Sequence, residues 1–386
     1  MGSPDPPQES HGVTTLEVVL PPLFRIDARE NGSDIRQVAV APWSGQAAVS
    51  PFKEGRITGF TVTPVGDLPP ILLLTNSAQP TDNCTHALRL RGAEPDLSAA
   101  VLDLTSAKWI NHPEQLPPQA DIAHYEKHVT DSRESWIDAF HYKEENAGRN
   151  IDGLRPPQLG AIHAVQAHWT VNVDPATVVL PTGVGKTEAM LSILVAERCP
   201  RLLVVVPTDA LRTQISEKFL FFGLLKTPAF RVVSEQALYP VVGTLNRRPS
   251  DTAEVDSFFR KCNVIVTTMP LASQCKPEVM QRMAELCPCL FIDEAHHVAA
   301  PTWKGFKDTF AKNKIIQFTA TPFRNDDEPI GGKRIFTFSL RQAQEQGYFK
   351  QIQFKPVTEF DPARKDAAIA EAAVAQLLLT PSTGIF

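Results

Sequence analysis

Leu180-Pro-Thr-Gly-Val-Gly-Lys-Thr187 sets two glycines, a lysine and a threonine in an order that suits a bound polyphosphate. A triphosphate needs several donors converging on its oxygens with no side chain in the way. Gly183 and Gly185 let backbone N–H groups turn inward, and a helix entered at Lys186 adds its positive N-terminal end. Lys186 supplies a point charge for the β- and γ-phosphates, and the Thr187 hydroxyl can ligate Mg²⁺. The common pattern carries glycine three places before Gly183, where this chain has Leu180. The bland alternative is a glycine-rich strand-to-helix turn, which leaves the Lys-Thr pair without a purpose. A second stretch, Phe291-Ile-Asp-Glu-Ala-His-His297, places Asp293 and Glu294 side by side after an apolar run. Successive side chains diverge at a strand end, so one carboxylate can orient a hydrated magnesium ion while the other poises a water. Two buried neighbouring acids are costly without a cation, so a metal ion makes sense of them; the alternative is an acidic helix cap. The third stretch, Phe318-Thr-Ala-Thr-Pro322, has the composition to relay the state of such a site.

Positioning these groups falls to short, continuous apolar runs. Residues 177–180, 202–206, 264–266, 290–292 and 315–318 read as buried strands alternating with helices, which means a parallel sheet covered on both faces. Ligands on such sheets sit at the carboxyl ends of the strands, and all three stretches lie at those ends. Residues 158–169 have helical spacing behind Pro156-Pro157, a favoured helix start. Upstream, the runs 16–20, 37–40, 56–62 and 71–74 are β-type and broken by Pro-Pro, Asn-Gly and Gly-Asp turns. The expected fold class is therefore α/β, a covered parallel sheet preceded by a small β-rich N-terminal domain.

The expected division is a frayed tail over 1–12, the β-rich domain with a helical connector (121–145) over 13–150, the parallel-sheet domain over 151–347, and a further segment over 348–386. Towards the C-terminal end, 334–338 is strand-like, 340–346 helical, 349–357 β-like and 362–379 an Ala-rich helix. No internal repeat is visible.

Composition narrows the classes. The 386 residues carry 43% hydrophobic residues and a formal charge of −5, which fits folded domains and excludes a globally basic binder, though not a local basic track. The six cysteines form no small-domain framework, and Cys287-Pro-Cys289 reads as reduced core thiols rather than a metal site. Without a leader-like N-terminus or a membrane-length apolar run, the chain reads as cytoplasmic, with no membrane partner.

Together the three stretches resemble motifs I, II and III of superfamily 2 helicases, nearest to the DEAH-type group with restriction-enzyme translocase subunits and repair helicases. The resemblance spans about residues 151–360 and implies a P-loop, RecA-like sheet using ATP and Mg²⁺. It implies phosphate contacts from Pro181, Thr182, Gly183, Val184, Gly185, Lys186 and Thr187, magnesium held by Thr187 and Asp293, and Glu294 as the water-activating base. Leu154-Arg-Pro-Pro-Gln158 resembles the segment ahead of motif I, which makes Gln158 the adenine contact and Arg155 a cofactor-side neighbour. Pro157 stands where relatives often carry an aromatic residue. Val204-Val-Val-Pro-Thr208 with Leu211, Arg212 and Gln214 resembles motif Ia, and Val266-Thr-Thr268 a later strand-end motif, so Thr208, Arg212 and Thr268 are expected on the nucleic-acid backbone. Such donors suit phosphate oxygens and carry no base code. His296, His297, Thr319 and Thr321 are expected to couple γ-phosphate loss to the track.

The family places ATP between two RecA-like domains, the second with an arginine-rich signature that supplies an arginine finger. No such signature follows residue 330, so 348–386 reads as the start of a truncated second domain, and a missing C-terminal half or partner subunit would supply the finger. The expected function is an ATP-dependent helicase or translocase on nucleic acid, DNA favoured over RNA, as an incomplete or split motor. The alternative is a non-catalytic, nucleotide-gated binding or regulatory subunit.

Overall fold

The computed structural model describes residues 13–66, 68–80, 84–92, 95–116, 121–295, 301–321, 331–349 and 356–379. The N-terminal strands are β1 (Thr14–Leu20), β2 (Leu23–Glu30), β3 (Ser33–Val40), β4 (Trp43–Glu54), β5 (Ile57–Pro64), β6 (Ile71–Leu74), β7 (Ala87–Arg89), β8 (Val101–Asp103) and β9 (Lys108–Asn111). Helices α1 (Ile122–Ser135) and α2 (Pro156–Val171) lead to β10 (Ala176–Val179), α3 (Lys186–Ala196), β11 (Leu202–Val206), α4 (Asp209–Phe221) and β12 (Val242–Thr244). Then come α5 (Thr252–Phe259), β13 (Val264–Thr268), α6 (Met269–Ser273), α7 (Pro277–Leu286), β14 (Cys289–Ile292), α8 (Pro301–Thr309), β15 (Lys314–Thr319) and β16 (Lys333–Thr337). The chain forms two compact units, Met1–Ser339 and Leu340–Phe386. The second holds α9 (Leu340–Glu345) and α10 (Lys365–Leu379), the latter after a 3-10 turn at Pro362–Arg364.

Among the described residues the strands form two sheets. One runs β8-β1-β4-β5-β6-β7-β9, and its alternating residues Leu16, Val18, Val49, Val62, Leu73 and Leu88 enclose a core of their own. The other runs β16-β10-β15-β14-β11-β13-β12-β3-β2. From β16 to β12 every neighbour is parallel, and β10, β11, β13 and β14 are buried along their whole length, as a sheet covered on both faces requires.

The last two strands of that sheet come from the N-terminal segment, across the boundary that the sequence suggests at residue 150. Asn31 and Gly32 both take positive φ (48° and 79°), the two-residue turn that Asn-Gly favours, and fold β2 back on β3. β3 then pairs antiparallel with β12, Ile35 opposite Gly243. Ile26 and Ile35, with Tyr125 and Val129 of α1, share one core with Leu203, Phe259, Ile265 and Leu290. The 347/348 boundary likewise falls inside the second unit.

The helix expected over 121–145 is shorter. Asp121 caps α1, which ends at Ser135 because Trp136 turns into the core (1% exposed) and donates its indole N–H to Leu238 O at 2.9 Å. The strand-like 334–338 and helical 340–346 stretches appear as β16 and α9. Most of the β-like 349–357 run lies outside the described residues. Cys287 and Cys289 are buried free thiols, and burial pushes the Cys287 thiol up. No helix among the described residues is long and apolar enough to cross a membrane.

Candidate functional site

The turn after β10 leaves the sheet beside the end of β15, where Leu180 N–H donates to Thr319 O at 2.8 Å. Gly183 and Gly185 have φ of 89° and 99°, and Gly185 is the cap of α3. A Cβ at Gly185 would lie 1.9 Å from Gln158 Nε2, so this position needs glycine for both its backbone angle and its neighbour. Gln158, 5% exposed at the start of α2, donates from Nε2 to Gly185 O at 3.2 Å and accepts at Oε1 from Arg155 N–H at 2.7 Å. Arg155 Nη1 donates to Gly183 O at 2.9 Å. The α2 N-terminus thus holds two carbonyls of the turn, and the trans peptide after Gly185 points the Lys186 N–H away from α2. Gln158, read from the sequence as the adenine contact, has its amide on this turn. Pro181 and Val184 are buried, Thr182 and Gly183 exposed, and Thr187 half-buried.

Two strands away, Asp293 N–H donates to Val205 O at 2.9 Å, so Asp293 extends the edge of β14. The residue is 4% exposed. Burial pushes its carboxyl up to about 6 and the Glu294 charge adds to this, while Lys186 opposes it. Glu294 takes φ of 49°, a left-handed angle unusual for a side chain of this size, and its N–H donates to Asp293 Oδ1 at 3.0 Å. That bend brings the Glu294 carboxylate onto Lys186 Nζ in a largely buried ion pair. Lysine, aspartate and glutamate from distant parts of the chain therefore meet at the carboxyl ends of β10 and β14.

The remaining candidates are distributed around them. Thr319, fully buried, closes a small turn in which its Oγ1 donates to Thr321 O at 2.8 Å and accepts from Thr321 N–H at 3.2 Å. Its carbonyl also receives Leu180 N–H, so this segment is tied to the first residue of the glycine turn. An open groove of about 660 Å³ along the strand ends is lined by Thr182, Thr208, Leu211, Met269, Glu294 and Thr321, among others. Thr208 is exposed there and caps α4 by accepting from Leu211 N–H at 3.3 Å. Arg212 and Thr268 present less surface: Arg212 pairs with Asp209 at 2.8 Å, and Thr268 is 6% exposed beside Val206. His296 and His297 lie outside the described residues. Met269 was not singled out from the sequence, since one apolar residue after a strand end carries no local signal.

The residues fit a nucleotide with its metal. Gly185 forms a cradle that a Cβ would fill, and Asp293 is a desolvated acid that a cation would hold ionised. A parallel sheet with a glycine turn, a lysine at helix entry and an acid pair two strands away suits a bound polyphosphate. Residues 152–324, a little under half of the chain, match the profile of the family described as "Type III restriction enzyme, res subunit".

Solved structures with some likeness include the UvsW helicase from bacteriophage T4, at 16% identity over 54% of this chain and 67% of that one, with a TM-score of 0.34. The Hef helicase domain of Pyrococcus furiosus is 21% identical over 50% of this chain and 41% of that one, at 0.35. A nuclease-deletion mutant of the Type ISP restriction-modification enzyme LlaGI, in complex with a DNA substrate mimic, is 18% identical at 0.35, over 60% of this chain and 23% of that one. No curated protein sequence matches this one.

Proposed function

We propose that the chain carries the ATP-binding half of a nucleic-acid motor, a DEAH-type helicase or translocase that couples ATP hydrolysis to movement on DNA. The convergence of Lys186, Asp293 and Glu294 at the strand ends carries this reading. In it, 151–347 is the RecA-like domain, 13–150 an attached β-rich segment and 348–386 the entry to a second RecA-like domain. Arg155, Gln158 and the turn from Pro181 to Gly185 form the nucleotide cradle. Lys186 exchanges Glu294 for the β- and γ-phosphates as nucleotide enters, and the released Glu294 carboxylate accepts a proton from the water whose oxygen bonds the γ-phosphorus, while the bond to the β–γ bridging oxygen breaks and ADP leaves. Thr187 and Asp293 hold Mg²⁺, which when bound offsets charge on the phosphate oxygens. The Thr319–Thr321 turn, bonded to Leu180, relays phosphate loss along the groove to Thr208, with Arg212 and Thr268 behind it and His296 and His297 on the same coupling path. Hydroxyls and a guanidinium there suit phosphates of a polynucleotide backbone.

The test is nucleotide affinity and ATP turnover with and without single- and double-stranded DNA and RNA, on the parent and on Lys186→Ala. The variant is expected to lose nucleotide binding or turnover. Parent-like ATP affinity in Lys186→Ala sinks the assignment.

A further inference from the structure

The N-terminal sheet opens, near the Pro21 connection to β2, onto a cleft of about 50 Å³ that the nucleotide site does not use. Trp43, Leu68, His86, Trp109 and His112 line it together with Val40, brought from well-separated segments. The His112 ring meets His86 edge-on, centroids 4.6 Å apart at 84°, and meets Trp109 the same way at 5.1 Å and 83°. Trp43 and Trp109 also pack on the core of this sheet, so part of their presence is structural. The core does not account for the open side, where Val40 and Leu68 stay 41% and 37% exposed.

The lining chemistry narrows the occupant. No lysine, arginine or carboxylate lines the cleft among the described residues, and Arg25 is paired with Glu114. A phosphate or carboxylate would find no cation there. Burial and the neighbouring His86 hold His112 below the usual imidazole range, so its ring is neutral near pH 7. His112 Nδ1 accepts from Glu114 N–H at 3.1 Å, which leaves the ring proton on Nε2 as a donor. An apolar cleft with aromatic rings and one neutral donor suits a planar, uncharged heterocycle with acceptor edges. In a polynucleotide, the base is the uncharged part.

We propose that this cleft receives one unstacked nucleobase of the strand that the motor engages, stacked on the aromatic rings and hydrogen-bonded by His112. This rests on the nucleic-acid reading of the preceding section. Base–aromatic stacking tolerates any sequence, so the cleft would grip a displaced or single strand without reading it.

The experiment measures binding of the full chain to a thymine-rich single-stranded oligonucleotide and to a matched abasic strand, in the parent, Leu68→Glu and Trp109→Phe. Leu68→Glu places a charge at the exposed rim without touching the core, and Trp109→Phe keeps an aromatic ring there. Both variants are expected to bind the base-bearing strand about tenfold more weakly and the abasic strand as the parent does. A 5-iodouracil strand should photocross-link within residues 84–92 or 105–116. A parent that binds both strands equally, or variants that match it, overturns the cleft assignment and leaves the motor reading standing. A chain that binds neither strand overturns both. Tryptophan quenching by a peptide with an aromatic side chain, with no response to the oligonucleotide, assigns the cleft to a protein partner and also overturns the proposal.

Discussion

Asp293 shows how one side chain links stability to function. Its carboxyl is pushed up to about 6 from an ordinary 3.8, chiefly by burial. A folded-state value above the unfolded one means stability that is present below about pH 4 and lost as pH rises through about 6. The ligand-free Asp293→Asn variant should therefore gain stability over the parent across that window. The gain should level off above it, on the order of 2 kcal/mol. Denaturant melts of both chains from pH 4 to 8 check this, and a difference that does not change with pH would contradict it. Glu294→Gln is expected to keep nucleotide affinity while turnover falls about a hundredfold or more, as loss of a general base does. Both acids were legible in the sequence, because adjacent carboxylates after an apolar run have few bland uses. The Lys186–Glu294 pairing was not, since it depends on the left-handed bend at Glu294 that no neighbouring residue announces.

Among the elements, the β2–β3 hairpin is the least expected. A β-rich N-terminal segment reads as a separate domain, yet β3 hydrogen-bonds to β12, and Arg36 Nη1 reaches Glu217 of α4 at 3.3 Å. Ile35 is fully buried in the core that also contains Leu203 and Ile265. Ile35→Ala is therefore expected to cost about 2–4 kcal/mol and to lower the melting of the largely parallel sheet itself. Hydrogen exchange on β11 and β13 measures this; protection unchanged there, with loss confined to β2 and β3, would show that the hairpin is an appendage. Strand β12 escaped the sequence reading because three residues, Val242–Thr244, carry no periodicity. Its partners on either side, not its own residues, make it a strand.

For the unit spanning residues 1–339, the shared core predicts that a fragment beginning at residue 151 fails to fold. Such a fragment loses Ile26, Ile35, Tyr125 and Val129 from its interior and leaves β12 as a bare edge, an invitation to intermolecular pairing. Size-exclusion chromatography of the 151–386 fragment against the full chain should show aggregation, where the full chain is monodisperse. A monodisperse, ATP-binding fragment would restore the boundary suggested at residue 150.

Short-range information settled much of this protein: the glycine turn, the acid pair and the strands that precede them. Those features arise from adjacent residues, whose backbone preferences and apolar runs act over a few bonds. Tertiary structure alone decided that Gln158 braces the glycine turn, that β3 extends the largely parallel sheet past β12, and that four aromatic rings line the mouth of the other. Each joins residues far apart in the chain. Their meeting depends on strand order and side-chain packing across the whole unit, which no local pattern encodes.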